Sequence, residues 1–135
     1  EIYVNALQAT GVDVVLGRFK RKTAICRATC KEPYTTHEEK RTDVNIALAI
    51  SSGAYENSYE KAILISADTD IIPAVEIAQK MGRYITVVFP VNRRSVELQQ
   101  LCDENRQMKA EHLSACQLPN PVNTQGGPLW KPASW

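Results

Sequence analysis

Residues 62–78, AILISADTDIIPAVEIA, constrain the fold of this chain more than any other stretch. Ala62, Ile63, Leu64 and Ile65 form an unbroken apolar run that stops abruptly at Ser66-Ala67-Asp68-Thr69-Asp70. A short run without polar alternation predicts a strand buried on both faces, as in a parallel sheet covered by helices. From Ile71 to Lys80, apolar Ile72, Val75 and Ala78 recur at helical spacing, with polar Glu76, Gln79 and Lys80 on the other side. The unit is therefore strand, acidic loop, helix. It sets two carboxylates at the carboxyl end of a central strand, the edge where open α/β sheets bind ligands. Carboxylates held close together repel unless a cation or a proton lies between them, which makes a divalent metal their natural partner. A purely structural reading competes on equal terms, because Asp is a favoured N-cap and Asp68 and Asp70 also suit a helix start.

The flanking sequence continues the alternation. Glu1 to Gln8 has helical spacing and Gly11 is a stop. Val12 to Leu16 is β-branched and predicts a short strand closed by Gly17. Arg18 to Thr36 has no sustained period and reads as a long excursion or a short hairpin. Thr42 opens a helix running from Asp43 to about Ser58, apolar over much of its circumference and so expected to pack deeply, with Asp43 and Asn45 in its first turn. Tyr84 to Phe89 is a second apolar strand ended by Pro90, and Ser95 to Cys102 a short helix. Met108 to Leu113 suits an edge strand or a turn of helix. From Gln117 onward four prolines and two glycines predict an extended tail, tied down by Leu129 and Trp130. Strands alternating with helices imply a parallel α/β sheet with right-handed crossovers. The domain is expected over 1–113 and the tail over 114–135.

The 135 residues suffice for a single core without staples. Sixteen basic against fifteen acidic residues leave a net charge of +1, so bulk charge points to neither nucleic acid nor membrane. The distribution says more: Arg18, Lys20, Arg21, Lys22, Arg27 and Lys31 are followed by no acid until Glu32. No apolar run reaches membrane-spanning length. With no secretory leader, the four cysteines read as reduced thiols of a cytoplasmic protein. Cys26-x3-Cys30 followed by His37 offers three soft ligands in a short span, but a structural zinc site takes four and no obvious fourth is near.

A third acid stands where a metal site would need it. Asp43 opens the helix that leads into the Asp68/Asp70 strand, and three carboxylates converging at one sheet edge would make a hard-oxygen site suited to Mg²⁺ or Mn²⁺. The segments HEEKRTDVNIALAI, AILISADTDIIPAVEIAQKMGRYITVVFP and RRSVELQQLCD together resemble the NYN domain, the LabA-like branch of the PIN-like ribonuclease fold. The trailing QLP and KPxxW resemble the extension of one bacterial branch, and the likeness covers roughly residues 11 to 135. The resemblance implies a three-layer α/β/α fold with a mainly parallel sheet. It also implies metal-dependent RNA hydrolysis, in which Asp43, Asp68 and Asp70 are catalytic and, with Ser66, hold the ion. Asn45 and Thr69 would support them, and Arg18, Lys20, Arg21, Lys22, Arg93 and Arg94 would hold an RNA backbone through its phosphates. RNA is the implied partner, a homo-oligomer is left open, and no membrane is involved.

One departure bears on activity. The family carries a further Asp at the end of a first, central strand, which has no counterpart here, so strands and a fourth acid are expected before Glu1. The alternative function is an RNA-binding or regulatory module that keeps the fold and metal pocket without cleaving. A phosphatase of haloacid-dehalogenase type also uses DxD at a strand end. That family, however, places its acidic strand near the amino terminus, and Ile71 and Ile72 follow Asp70 where it has Thr or Val.

Overall fold

Turn residues between apolar runs divide the chain into alternating helices and strands, and a computed structural model describes residues 1–28 and 30–134. Trp135 of the KPxxW segment therefore lies outside the described residues. The first elements are α1 (Ile2–Ala9), β1 (Arg18–Ile25), β2 (Pro33–Lys40), α2 (Thr42–Tyr55) and β3 (Lys61–Ile65). A 3-10 turn at Thr69–Ile71 leads into α3 (Ile72–Lys80), then β4 (Tyr84–Phe89), α4 (Val96–Leu101) and β5 (Glu104–Gln107). Then come α5 (Ala110–Ala115), β6 (Val122–Thr124) and β7 (Gly127–Leu129). The elements divide into two units, one of Leu16–Met108 and one of Glu1–Val15 with Lys109–Trp135. No helix of the described residues is long and apolar enough to cross a membrane.

In the first unit β3, β4 and β5 form a parallel sheet in that order, with Leu64 opposite Val87 and Val88 opposite Arg106. Parallel neighbours need crossovers, and α3 and α4 provide them. Leu64, Ile85, Val87 and Phe89 form the core with Ala54 of α2, Val75 and Ala78 of α3 and Leu98 of α4. The mixed α/β class with a parallel sheet is as expected. The strand of the 62–78 unit is not central among the described residues, however: there β3 is an edge, and Ile63 and Ile65 on its other face are 67% and 59% exposed. An apolar run reports what a strand can bury, and among the described residues only one face is covered. The same holds for α2. Ala54 is buried and Ile46 and Ile50 pack on the core, but Val44, Leu48 and Tyr55 lie exposed along one stripe.

Helix α2 ends three residues before Ser58 because Asn57 takes φ +56 and the Ser58 N–H bonds back to the Gly53 carbonyl. Gly53 is required there: a Cβ would lie 2.8 Å from the Tyr59 ring, whose hydroxyl donates to the Ile50 carbonyl at 2.6 Å. The helix start is served by Glu39, whose Oε1 accepts from the Thr42 hydroxyl at 2.6 Å and its N–H at 3.3 Å. Asp43 is thus released from capping and sits in the first turn, where a negative charge is favoured.

Glu104, at the start of β5, ties the strands laterally. Its Oε2 accepts from Lys61 Nζ of β3 at 3.3 Å and Thr86 Oγ1 of β4 at 3.2 Å, and its Oε1 from Arg106 Nε at 2.8 Å. Beside it, Asp103 Oδ2 accepts from the Ile85 N–H at 2.7 Å and from Gln79 Nε2 at 3.1 Å. The Ile85 N–H, then Gln79, holds the Asp103 carboxyl below its usual range, and Arg106, then Lys61, does the same for Glu104. Depressed folded values stabilise above the ordinary carboxylate range, and that stabilisation is lost as pH falls below about 4. The double variant Asp103→Asn/Glu104→Gln should therefore unfold at lower urea than wild type near neutral pH and converge with it near pH 3. An equal deficit at both pH values would assign the effect to lost packing.

In the second unit α1 lies against β6, with Ala6 and Val122 buried. The expected extended tail instead contains a hairpin, with Val122 opposite Leu129 and Thr124 opposite Gly127. Gly127, at φ +109, relieves the turn, and Asn120 Oδ1 accepts from the Lys131 N–H at 2.9 Å. Leu129 is half-buried, whereas Trp130 is exposed. Glu104–Gln107 is the last strand of the parallel sheet, and the Met108–Leu113 stretch enters α5. Val12–Leu16 forms no strand: the Val12 N–H bonds back to the Leu7 carbonyl at 3.1 Å and no strand lies opposite the segment among the described residues, and β propensity without a ladder partner leaves only extended backbone.

Candidate functional site

The carboxyl ends of β3 and β4 carry the site. After Ile65 the Ser66 hydroxyl accepts from the Asp68 N–H at 3.1 Å, and Asp68 Oδ1 accepts from the Asp70 N–H at 3.0 Å. Asp68, with extended backbone at φ −85 and ψ 127, is the cap of the Thr69–Ile71 turn, and Pro73 opens α3 behind it. The capping reading of Asp68 therefore holds, but it uses one carboxylate oxygen, and Oδ2 takes no hydrogen bond among the described residues. From β4, Pro90 and the positive-φ Asn92 turn the chain, and the Arg93 N–H bonds to the Pro90 carbonyl at 3.1 Å. The two loops enclose an open cleft of about 470 Å³ lined by Ile65, Ser66, Ala67, Asp68 and Thr69 on one side and Pro90 and Arg93 on the other.

Of the acids expected to converge, Asp68 alone lines the cleft, together with Ser66 and Thr69. Asp70 and Asp43 are exposed and do not line it, although α2 packs against the 3-10 turn. Half-buried Asn45 also lies outside it. Among the described residues no three His, Cys, Asp or Glu side chains group so as to hold a metal ion. The donors are of the right kind for a hard divalent cation, which takes six or more oxygens, but too few are gathered at one point to close a site.

Arg93 lines the same cleft as Asp68, whereas Arg94 is held by Gln99, its Nε donating to Oε1 at 2.9 Å. Arg18, Lys20, Arg21 and Lys22 lie on β1, paired antiparallel with β2. The hairpin register also separates the three candidate zinc ligands. His37 stands opposite Arg21, four pairs from the Ile25–Pro33 end, while Cys26 and Cys30 lie in the loop beyond that end. The Glu32 backbone N–H, then the Cys26 thiol, holds the Cys30 thiol below its usual range, so those two cysteines are neighbours and His37 is not with them.

One cleft position, and the residue that supports it from outside, escaped the sequence. Pro90 appeared only as a strand stop, yet it forms a wall. Gln107 fixes that wall from β5, donating through Nε2 to the Phe89 and Pro90 carbonyls at 3.2 and 2.7 Å. The proline could have been found as the residue that turns β4 at the ligand edge; the glutamine left no local signal.

Among known proteins, residues 1–109 match the family model described as the NYN domain. A curated relative from Pseudomonas putida (strain DSM 28022 / S16), 6-hydroxy-3-succinoylpyridine 3-monooxygenase HspA, is 33% identical over 104 residues, which is 73% of this chain and 33% of that protein. The chain thus spans about a third of that relative's length. No solved structure matches the chain.

Proposed function

This chain belongs to the NYN domain family, whose members are generally nucleases, and on that premise we propose that it hydrolyses RNA phosphodiester bonds at the β3/β4 cleft. The observation that carries this is that Asp68 and Arg93, from two different loops, line one open cleft at the carboxyl edge of a parallel sheet. Arg93 presents a guanidinium to a phosphate, a geometry suited to bidentate hydrogen bonding. The Oδ2 of Asp68, spared from capping, accepts a hydrogen bond from the attacking water. Asp68 and Ser66 at the cleft, joined by Asp43 and Asp70 from outside it, are the residues that would hold Mg²⁺ or Mn²⁺. When bound, such an ion supplies water activation and neutralises charge on the scissile group. We place the chain in the LabA-like branch of PIN-like ribonucleases, as a cytoplasmic protein with a three-layer α/β/α domain over 1–113 and an appended tail over 114–135.

The test is cleavage of an end-labelled single-stranded RNA by the full chain in Mn²⁺. Fragments should accumulate, EDTA should stop them and added Mn²⁺ should restore them. Retention of RNA without turnover would favour the second reading, a non-cleaving RNA-binding module, which the exclusion of Asp43 and Asp70 from the cleft supports. Conversion of a hydroxypyridine without RNA cleavage would instead move the chain toward the reaction named for its relative.

A further inference from the structure

We propose that one face of the β1/β2 hairpin is a binding track for single-stranded RNA, in which Arg18, Lys20, Lys22 and Lys40 grip the phosphates and Tyr34 stacks on a base. The proposal rests on the nuclease reading only in taking RNA as the ligand. Alternation along an antiparallel ribbon sorts its side chains by parity. Arg18 faces Lys40, Lys20 faces Glu38, Lys22 faces Thr36 and Ala24 faces Tyr34, so these residues share one face. That face carries four cations and one anion. The other face places Phe19 opposite Glu39 and Arg21 opposite His37, and its Arg21 guanidinium donates to Thr35 Oγ1 at 3.4 Å. The basic run of the sequence thus becomes a one-sided charge array, from which Arg21 is excluded and to which Lys40 is added.

Glu38 does not neutralise the array. It is shared by Lys22 at 3.5 Å and Lys40 at 3.0 Å. Arg18 and Lys20 have no ion-pair partner among the described residues, and both are exposed. Cations two residues apart on a strand stand about 6.7 Å apart, of the order of the spacing between successive phosphates along one nucleic-acid strand. Tyr34 is 53% exposed at the far end of the same face. An open aromatic beside a cation row is the arrangement that takes unpaired bases, and a duplex has no free base face to offer it. A two-stranded ribbon is also marginal by itself in water, and these strands bury no large side chain.

Binding of a fluorescent single-stranded RNA to the full chain, with EDTA present to stop cleavage, tests the proposal. The triple variant Arg18→Gln/Lys20→Gln/Lys22→Gln should bind about tenfold more weakly at ~0.1 M salt, and its log–log salt slope should fall by about 2, at ~0.7 for each phosphate that is no longer neutralised. Arg21→Gln should leave both quantities unchanged. Tyr34→Ala, which keeps every charge, should weaken binding at least about fivefold with the slope retained. Wild-type affinity and slope in the triple variant would overturn the track, as would an Arg21→Gln loss equal to that of a single array cation. Equal competition by a blunt RNA duplex would overturn the single-strand assignment. Cleavage is read separately in Mn²⁺: an array-dependent complex that is never cut leaves the track standing and removes the nuclease reading, whereas cleavage with an array-independent complex does the reverse.

Discussion

Asp68→Asn is expected to abolish RNA cleavage, lowering the single-turnover rate by about 10²–10⁴-fold, without disturbing the fold. The asymmetry of the residue makes the substitution informative. Its Oδ1 accepts from the Asp70 N–H at 3.0 Å and holds the turn into α3, and an asparagine keeps an oxygen in that place. What disappears is the charge and the second acceptor of a residue that lines the cleft together with Arg93. Circular dichroism and the urea midpoint should match wild type while fragment release stops. Asp68→Ala would also lose the cap, at about 1 kcal/mol, so a variant that is both unstable and inactive would say nothing about chemistry. Undiminished cleavage in a clean Asp68→Asn preparation would confine this residue to its capping role.

Phe89→Ala is expected to give the largest loss of stability, about 3–5 kcal/mol in urea unfolding, from lost transfer energy plus the cavity left behind. Phe89 is 1% exposed, lies at the carboxyl end of β4 and packs in the cluster that joins the sheet to its helices. Its carbonyl accepts from the Met108 N–H at 2.9 Å and from Gln107 Nε2 at 3.2 Å, so it also anchors the wall that Pro90 presents to the cleft. Ile63→Ala removes an aliphatic side chain from β3, but one that is 67% exposed, and should shift stability by no more than about 0.5 kcal/mol. Comparable losses in the two variants would show that the outer face of β3 is covered in solution.

That contrast marks how far the sequence could be read. The 62–78 unit was legible because an apolar run, an acidic stop and a helical period follow one another without ambiguity, and β3, the capped turn and α3 lie where those signals fall. Ser66, Asp68 and Thr69 reached the cleft because a strand end dictates their positions locally. Burial was not legible to the same degree. Ile63, Ile65, Val44 and Leu48 are apolar in sequence, yet they are exposed, because exposure depends on what lies opposite and not on the residue itself. Val12–Leu16 failed for the related reason that a strand exists only as part of a ladder. The directions of Asp43 and Asp70 depend on backbone geometry several residues away, where Glu39 takes over the start of α2 and Asp68 caps the turn. The hairpin's charge array became visible only through register, which pairs Lys40 with Arg18 across a loop.

Glu104 has a consequence for how this domain can change. The groups it binds, Lys61 of β3 and Thr86 near the start of β4, lie toward the amino-terminal ends of the strands, whereas the cleft is built at their carboxyl ends. A one-residue slip of any strand would break this lateral tie and turn the core side chains outward, so register is locked at the end remote from the cleft. Positions of the 66–70 and 90–94 loops other than Ser66, Asp68, Asp70 and Arg93 are thereby free to vary in sequence while the scaffold keeps its register. Specificity can be rewritten at one rim of this sheet while the other rim keeps it assembled, which makes those two loops the place to build libraries for new substrates.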